Sequence, residues 1–176
     1  GIQPLLNFSD GRTFRLAIRL ARQLQPGEEA QLGLLARCGT CGAQQSQSLL
    51  RLRNWPACHC PAEQGRWAIS GPLWLGPLQE IEILKELSGS PVPLAPATRR
   101  LLQRLQADPG GLVQVWSTAE LARRCGSGPP PLQRLVDALR SRGHQAWPSG
   151  VMAGQVRTDA DLPELLQICS NLRGEG

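Results

Sequence analysis

Apolar and polar residues alternate along the first part of the chain and recur every three or four positions along the second half. The alternation is clearest over residues 14–20, where arginines separate large apolar side chains. It predicts a half-buried strand with an arginine-bearing outer face. Residues 32–36, 48–53 and 67–70 predict further strands, which a meander would join into an antiparallel sheet.

The pattern changes in the middle of the chain. Glycine–proline pairs at 71–72 and 76–77 break the last strand, and residues 79–87 then predict a helix. The stretch 88–96 is rich in proline and serine and is therefore the predicted boundary between two lobes. Residues 98–107 predict an amphipathic helix, because leucines lie on one side and arginines nearer the other. The following Asp108-Pro-Gly-Gly sequence is predicted to be a turn.

Helix-start and helix-stop signals organise the C-terminal part. Ser117 and Glu120 form a capping box for a short helix that ends near Gly126. Three prolines precede the next helix, which ends at Gly143 and has a predicted buried stripe of Leu132, Leu135, Val136 and Leu139. Two short extended segments then flank a glycine-containing loop, and a last helix begins at Asp161. This order of elements predicts a winged-helix-like lobe.

Four cysteines are the strongest candidate for a functional site. Cys38 and Cys41 follow one predicted strand, and Cys58 and Cys60 follow the next. Two closely spaced thiol pairs can close a tetrahedral zinc site, and a meander would bring these strand ends together. Buried free thiols or disulfides are the alternatives, and His59 is a weaker candidate ligand between two better placed sulfurs.

These observations predict an α+β fold in two lobes. Residues 1–88 are expected to form an antiparallel sheet with a cysteine zinc knuckle, and residues 97–173 a helical, winged-helix-like lobe. Cys125 and Cys169 are isolated by spacing and are predicted to be small buried residues. His144 is predicted to be a helix-end or surface residue. Trp74 is predicted to be a packing anchor between the lobes, with a base-stacking platform as the alternative.

Charge and composition narrow the choice of partners. The chain carries 19 lysines and arginines against 14 acidic residues, a net charge of +5, and Lys85 is its single lysine. A basic excess of this kind suits a polyanionic partner. No apolar run is long enough to span a bilayer. Because the sequence begins with Gly1 rather than methionine, we expect it to be part of a longer protein.

Three stretches of the sequence are distinctive. The first stretch consists of Pro4-Leu-Leu and Thr13-Phe-Arg-Leu. The second consists of the cysteine pairs and the run Gly71-Pro-Leu-Trp-Leu-Gly-Pro-Leu. The third consists of residues 135–146 and Val156-Arg-Thr-Asp-Ala. With these stretches the chain resembles, over nearly its whole length, the C-terminal domain of the tRNA (guanine-26) N2,N2-dimethyltransferases. The run that begins at Gly71 is the most specific part of the resemblance.

One loop departs from the family pattern. After the alanine that matches Ala146, family members usually continue Ser-Arg-Thr-His, whereas this chain continues Trp147-Pro148-Ser149-Gly150. The basic side chains that such a loop would offer for RNA contact or catalysis are therefore absent here.

The resemblance implies a substrate-positioning domain of a cytoplasmic, S-adenosylmethionine-dependent enzyme that forms N2,N2-dimethylguanosine in tRNA. The cofactor would bind an N-terminal, Rossmann-like methyltransferase half, so no catalytic or cofactor-binding residue is expected in this chain. The implied partners are tRNA and that N-terminal half. Zinc is the expected structural metal, and the resemblance favours RNA contacts by Arg15, Arg140, Arg142 and Arg157.

Two other functions fit the same residues. A zinc ribbon joined to a winged helix would suit a DNA-binding transcription factor. A structural module that holds an enzyme together without touching nucleic acid is the second alternative. Stronger binding to tRNA than to duplex DNA would argue against the transcription factor. Nucleic-acid binding of any kind would argue against the purely structural module.

Overall fold

The computed structural model describes residues 1–58, 60 and 65–173 of the 176-residue chain. The described residues form three separate antiparallel sheets together with α-helices. The predicted α+β class with antiparallel sheets is therefore confirmed. None of the helices in the described part is long and apolar enough to cross a membrane.

The first sheet is a hairpin of β1 (Ile2–Ser9) and β2 (Phe14–Leu20). The carboxylate of Asp10 closes its turn by accepting hydrogen bonds from the backbone N–H groups of Arg12 and Thr13. Aspartate commonly stabilises turns in this way. Among the described residues β2 pairs only with β1, so its outer edge is unpaired.

β2 is exposed on both faces, so the prediction of a half-buried strand is wrong. Phe14, Leu16 and Leu20 are 69%, 75% and 73% exposed. β1 alone supplies the covered side of the hairpin, where Leu6 and Phe8 pack against a small helical core. Alternation determines which side chains share a face, but a strand is half-buried only when another element covers that face.

In the second sheet β3 (Leu32–Cys38) lies between β4 (Gln44–Ser48) and β5 (Trp67–Trp74). The polar strand β4 was not predicted, because Gln-Gln-Ser-Gln-Ser has no apolar alternation. Its Gln44 side chain exchanges hydrogen bonds with the backbone of Val115, which links this sheet to the C-terminal lobe.

The predicted strand over residues 48–53 is wrong. The chain leaves the sheet at Ser48 and forms a 3-10 turn over Leu49–Arg51. The Ser48 hydroxyl accepts a hydrogen bond from the N–H of Leu50 and thereby caps this turn. A local hydrogen bond from serine therefore outweighs the extended preference of the neighbouring leucines.

β5 is longer than predicted, because it continues through Gly71 and Pro72 to Trp74. Gly71 has φ +144°, and a Cβ added there would lie 2.8 Å from the carbonyl oxygen of Gly33 on β3. Only glycine fits this close approach, and the pairing register shifts at the same place, between Gly33 and Leu35.

Two helices follow, α1 (Ile81–Ser88) and α2 (Pro96–Gln106), as the sequence predicts. They pack against each other through a small core of Leu84, Leu102 and Leu105. Because Leu6 and Phe8 of β1 pack on the same core, the helix pair supports the N-terminal hairpin.

The C-terminal lobe contains β6 (Val115–Ser117), α3 (Thr118–Cys125), α4 (Leu132–Ser141), β7 (Ala146–Pro148), β8 (Gln155–Thr158) and α5 (Leu162–Arg173). Its strands pair in the order β6–β8–β7, all antiparallel. The Ser117 hydroxyl caps α3 by accepting from the N–H of Glu120, as the capping box predicts.

The largest apolar core lies in this lobe. Helices α3, α4 and α5 cover one face of the three-stranded sheet, and the predicted stripe of α4 is buried among them. The fully buried members include Leu121, Leu135, Leu139, Val156 and Leu165. The other face of this sheet is turned toward the N-terminal half and lines part of a cavity.

Candidate metal centre and nucleic-acid interface

The structure brings the four cysteines of the predicted knuckle together. The Sγ atoms of Cys38 and Cys60 are 3.6 Å apart, those of Cys41 and Cys58 are 3.3 Å apart, and those of Cys58 and Cys60 are 3.7 Å apart. All four sulfurs lie within 4.8 Å of one another. No pair is at the bonding distance of a disulfide, and all four thiols are free.

These distances fit a tetrahedral zinc site. Four sulfurs at about 2.3 Å from one ion are separated from each other by roughly 3.8 Å. The observed separations lie close to that value, and the thiols are buried or half-buried without being sealed from solvent. The cluster therefore has the ligand type, number and spacing of a structural zinc site.

Backbone geometry around the first pair holds two of the sulfurs in place. Cys38 ends β3, and Cys41 follows in the tight turn that leads into β4. The N–H of Gly42 donates to the carbonyl of Cys38, and Gly42 has φ +74°. On the opposite side, a Cβ added to Gly65 would lie 2.7 Å from the Cβ of Cys58, so the second pair also packs tightly against backbone.

The thiols differ in acidity. A hydrogen bond from the N–H of Cys41 to the Sγ of Cys38 lowers the pKa of the Cys38 thiol to about 6. The sulfur–sulfur contact with Cys41, together with burial, raises the pKa of Cys60 to about 12. Burial likewise raises the pKa of Cys58. The thiolate of Cys38 is thus stabilised, whereas those of Cys58 and Cys60 are disfavoured by burial and thiol contacts; a bound divalent cation would stabilise the thiolate form of its ligands.

The cysteine cluster is joined to the C-terminal lobe by side-chain contacts. Glu120 of α3 accepts from Arg37, one residue before Cys38, at 3.0 Å and from Arg124 at 2.7 Å. Both arginines, with the hydrogen bond from Arg124 first, lower the pKa of Glu120 against the opposing effect of its partial burial. Cys41 also packs against the core of the C-terminal lobe. The cysteine knuckle therefore joins the two halves of the described structure.

Cys125 and Cys169 lie outside this cluster. His59 lies outside the described residues. Cys169 is buried, and burial together with nearby Cys125 raises its pKa to about 12, which suits an unreactive core thiol. His144 follows α4 and contacts two carboxylates, with Nδ1 3.2 Å from Asp159 and Nε2 2.9 Å from Glu164.

The four arginines expected to contact RNA are placed differently. Arg15 is exposed on β2, opposite Phe8. Arg140 and Arg142 are both exposed at the C-terminal end of α4. The Nε of Arg140 donates to the carbonyl of Ala146 at 2.7 Å, which directs its guanidinium along the surface. RNA contact by these residues stays a prediction.

Arg157, in contrast, is buried. Its Nε donates to Oδ2 of Asp108 at 2.8 Å and its Nη1 to the carbonyl of Leu112 at 2.6 Å. Asp108 is itself 1% exposed and also accepts from Trp147 Nε1 and from the N–H of Gly150. The sequence indicates only a turn at Asp108, because nothing local reveals partners that lie about forty residues away.

The loop that departs from the family pattern is held by this network. The N–H of Ser9 in β1 donates to the carbonyl of Val151 at 2.7 Å, and Arg104 of α2 donates to the carbonyl of Gly150 at 3.0 Å. Ser149 and Gly150 are buried. The loop between β7 and β8 therefore packs on the N-terminal half and is covered by it.

Comparison with known proteins agrees with this architecture. The sequence model of the N2,N2-dimethylguanosine tRNA methyltransferase family matches residues 1–170. The tRNA (guanine(26)-N(2))-dimethyltransferase of Methanocorpusculum labreanum is 27% identical over 170 residues, covering 93% of this chain and 44% of that protein. The enzyme of the same name from Thermococcus kodakarensis is 27% identical over 174 residues, covering 98% and 43%.

The fold also matches a solved structure. Trm1 from Pyrococcus horikoshii, determined with S-adenosyl-L-methionine, superimposes with a TM-score of 0.71 at 19% sequence identity, covering 96% of this chain and 43% of that one. The chain thus spans less than half the length of the relatives it matches. Since the family match extends from the first residue to residue 170, the chain belongs to the N2,N2-dimethylguanosine tRNA methyltransferase family.

Proposed function

We propose that this chain is the tRNA-binding, substrate-positioning C-terminal part of an S-adenosylmethionine-dependent tRNA (guanine-N2)-methyltransferase that acts in the cytoplasm. The family match over residues 1–170 is the observation that carries the proposal. In this proposal the methyl donor binds a separate N-terminal methyltransferase half, and this chain grips the tRNA whose guanosine becomes N2,N2-dimethylguanosine.

The C-terminal lobe supports nucleic-acid binding through its topology. A helix, a strand, two helices and a strand–loop–strand unit follow one another, and the strands pair in the order β6–β8–β7. This order of elements supports a winged-helix-like role, in which the second helix of the pair would contact nucleic acid. That helix is α4, whose end carries Arg140 and Arg142.

The loop between β7 and β8, which would be the wing of this lobe, is covered by the N-terminal half. It is tied to β1 and α2 by the hydrogen bonds of Val151 and Gly150, so it is not available as a basic finger. The tRNA contacts are therefore assigned to the end of α4 and to exposed arginines such as Arg15. Phosphate contacts of this kind supply affinity, and the shape of the tRNA supplies recognition.

The exposed row on β2 supports docking against a methyltransferase half. Leu16, Ile18 and Leu20 lie side by side on an unpaired edge strand and are 75%, 46% and 73% exposed. An exposed apolar row on a sheet edge usually marks an interaction surface. The relatives are more than twice as long as the matched region, which leaves room for such a partner in the same polypeptide.

Zinc is assigned a structural role. The four thiols would hold the ion entirely by sulfur, which leaves no open coordination position for chemistry. Bound metal would fix the β3–β4 turn, the segment before β5 and, through Arg37 and Glu120, the position of α3.

A competition experiment tests the proposal. Binding of an unmodified tRNA transcript and of a DNA duplex of equal length is measured by fluorescence anisotropy from low to physiological salt. We expect salt-dependent tRNA binding that is stronger than binding to the duplex. Equal affinities would favour a winged-helix DNA-binding protein, an alternative that the topology of the lobe also fits. Absence of binding to either would favour a structural module.

A further inference from the structure

A cavity of about 310 Å³ lies between the N-terminal hairpin, the loop after β5 and the uncovered face of the C-terminal sheet. Its lining includes Phe14 of β2, Trp74 at the end of β5, Met152 of the loop between β7 and β8, and Gln155 and Arg157 of β8. No part of the tRNA-binding surface described above uses this cavity. The most distinctive sequence run of the chain, which contains Trp74, forms one of its walls.

The polar side of the cavity follows from the alternation of β8. Val156 points into the helical core and is fully buried, so Gln155 and Arg157 point to the opposite, cavity-lining face. Among the described residues the Gln155 side chain has no hydrogen-bond partner. Arg157 is anchored through Nε and Nη1, while its Nη2 has no partner within the described part of the chain.

The opposite side is aromatic. Phe14 is 69% exposed, which is unusual for a large apolar side chain. It is one of two phenylalanines in the sequence. The indole of Trp74 is held in orientation by the hydrogen bond from its Nε1 to the carbonyl of Pro77 at 3.0 Å. The cavity thus combines aromatic surface with an amide and a guanidinium whose position is set by the buried Asp108.

We infer that this cavity receives an unstacked nucleobase of the bound RNA, an inference that rests on the proposed tRNA-binding function. Proteins that bind single-stranded RNA stack its bases on aromatic side chains, and those that read sequence also form hydrogen bonds to the base edges. Phe14 and Trp74 supply the aromatic surface. Gln155 supplies a donor and an acceptor, and Arg157 a further donor, for the edge of the base.

An apolar side chain of a protein partner is the rival occupant, and the polar groups argue against it. Such a side chain would fill the aromatic half of the cavity but would bury the Gln155 amide without a partner. Leaving a buried amide unsatisfied costs about 1–3 kcal/mol. A nucleobase edge satisfies the same amide. The volume is at the small end of ligand pockets and suits a single base better than a larger ligand.

The two phenylalanines make a direct test possible. Uniform labelling with 4-fluorophenylalanine gives two ¹⁹F signals, from Phe14 in the cavity and from Phe8, which packs on the helical core as an internal control. Hexanucleotides of adenylate and of uridylate, and an unmodified tRNA transcript, are the probes. We expect saturable movement of the Phe14 signal with each RNA, while the Phe8 signal stays in place and reports an intact fold.

A pair of variants completes the test. Gln155→Leu keeps the side-chain volume but removes the amide, and we expect about three- to tenfold weaker hexanucleotide binding. Gln167→Leu on the exposed side of α5 is the matched control and should bind as the wild type does. If tRNA binds but the Phe14 signal does not move and Gln155→Leu binds the hexanucleotides as the wild type does, the base-binding inference is wrong. That result would favour a protein side chain as the occupant of the cavity. If no RNA binds at all, the proposed function itself fails.

Discussion

Arg157 and Asp108 form a buried ion pair, with Nε and Oδ2 2.8 Å apart and both side chains shielded from solvent. The carboxylate accepts three further hydrogen bonds: Oδ1 accepts from the N–H of Gly110 and from Nε1 of Trp147, and Oδ2 also accepts from the N–H of Gly150. One aspartate therefore holds together the turn after α2, the strand β8 and the loop that replaces the family's basic motif.

Removing this carboxylate should destabilise the protein strongly. Asp108→Asn leaves the Arg157 guanidinium buried without a counter-charge, and breaking a buried pair in this way typically costs about 3–5 kcal/mol. Urea denaturation followed by tryptophan fluorescence measures the loss. Asp137→Asn on the exposed face of α4 is the control and should change stability by less than about 0.5 kcal/mol. Similar stabilities for the two variants would contradict the role assigned to Asp108.

Zinc binding is the second prediction. The purified protein should contain about one zinc ion per chain, because the four sulfurs already lie within 4.8 Å of one another. Cys41→Ser should lower zinc content and reduce stability by at least about 2 kcal/mol, since metal-binding energy is folding energy at such a site. Elemental analysis and thermal unfolding with and without a chelator provide the measurements.

The matched control for this experiment is Cys125→Ser. Cys125 lies in the C-terminal lobe, where its Sγ contacts the carbonyl of Leu166 at 3.6 Å, and a hydroxyl can keep that contact. Its zinc content should equal that of the wild type. Fully folded, metal-free wild-type protein with reactive thiols at Cys38, Cys41, Cys58 and Cys60 would rule out the metal centre.

The sequence predicts some levels of this structure well and others poorly. Local signals such as the Ser117–Glu120 capping box specify helices, because the hydrogen bond that starts the helix is made within four residues. Cysteine spacing anticipated the thiol cluster for a similar reason: thiols that bind one ion must come together, and few arrangements of a meander allow it.

The local sequence pattern does not reveal which side chains another element covers, or which residues pair with partners far along the chain. Leu16 and Leu20 alternate with arginines as they would on a half-buried strand, yet nothing in the described chain covers them. Gln44 lies in a polar strand without the apolar alternation that would predict it, and its partner Val115 is far along the chain. Arg157 looks like one basic residue among many until Asp108 is found beside it.

His144 should make stability depend on pH. The hydrogen bond and charge of Glu164, with a further contribution from Asp159, raise the pKa of His144 above its usual value of 6.5 despite partial burial. A raised folded-state pKa means that the protonated form stabilises the fold. This contribution is complete below about pH 6.5 and disappears as the pH rises through the folded-state pKa.

The corresponding variant is His144→Asn. It should be less stable than the wild type at pH 6 by up to about 1 kcal/mol, a value limited by solvent screening of the partly exposed carboxylates, and nearly as stable at pH 9. Urea denaturation across this pH range measures the difference. A penalty of the same size at both pH values would mean that the side chain acts through packing and not through charge.

The end of α4 should provide phosphate contacts to tRNA. Arg140 and Arg142 are exposed there, and the buried stripe of the helix lies on its other side, at Leu135 and Leu139. Replacing both arginines by alanine should therefore weaken tRNA binding without unfolding the lobe. Each phosphate contact that is lost should reduce the slope of log affinity against log salt by about 0.7–0.9, so the double variant should flatten it by up to about 1.8.

A matched pair of substitutions separates this effect from a general loss of charge. Arg99→Ala with Arg100→Ala removes the same charge from exposed positions of a different helix, α2. Fluorescence anisotropy with an unmodified tRNA transcript at several salt concentrations compares the two double variants with the wild type. We expect the α4 variant to lose more affinity and more salt dependence than the α2 variant. Equal losses would show that tRNA responds only to net charge, and an unchanged α4 variant would move the binding face away from Arg140 and Arg142.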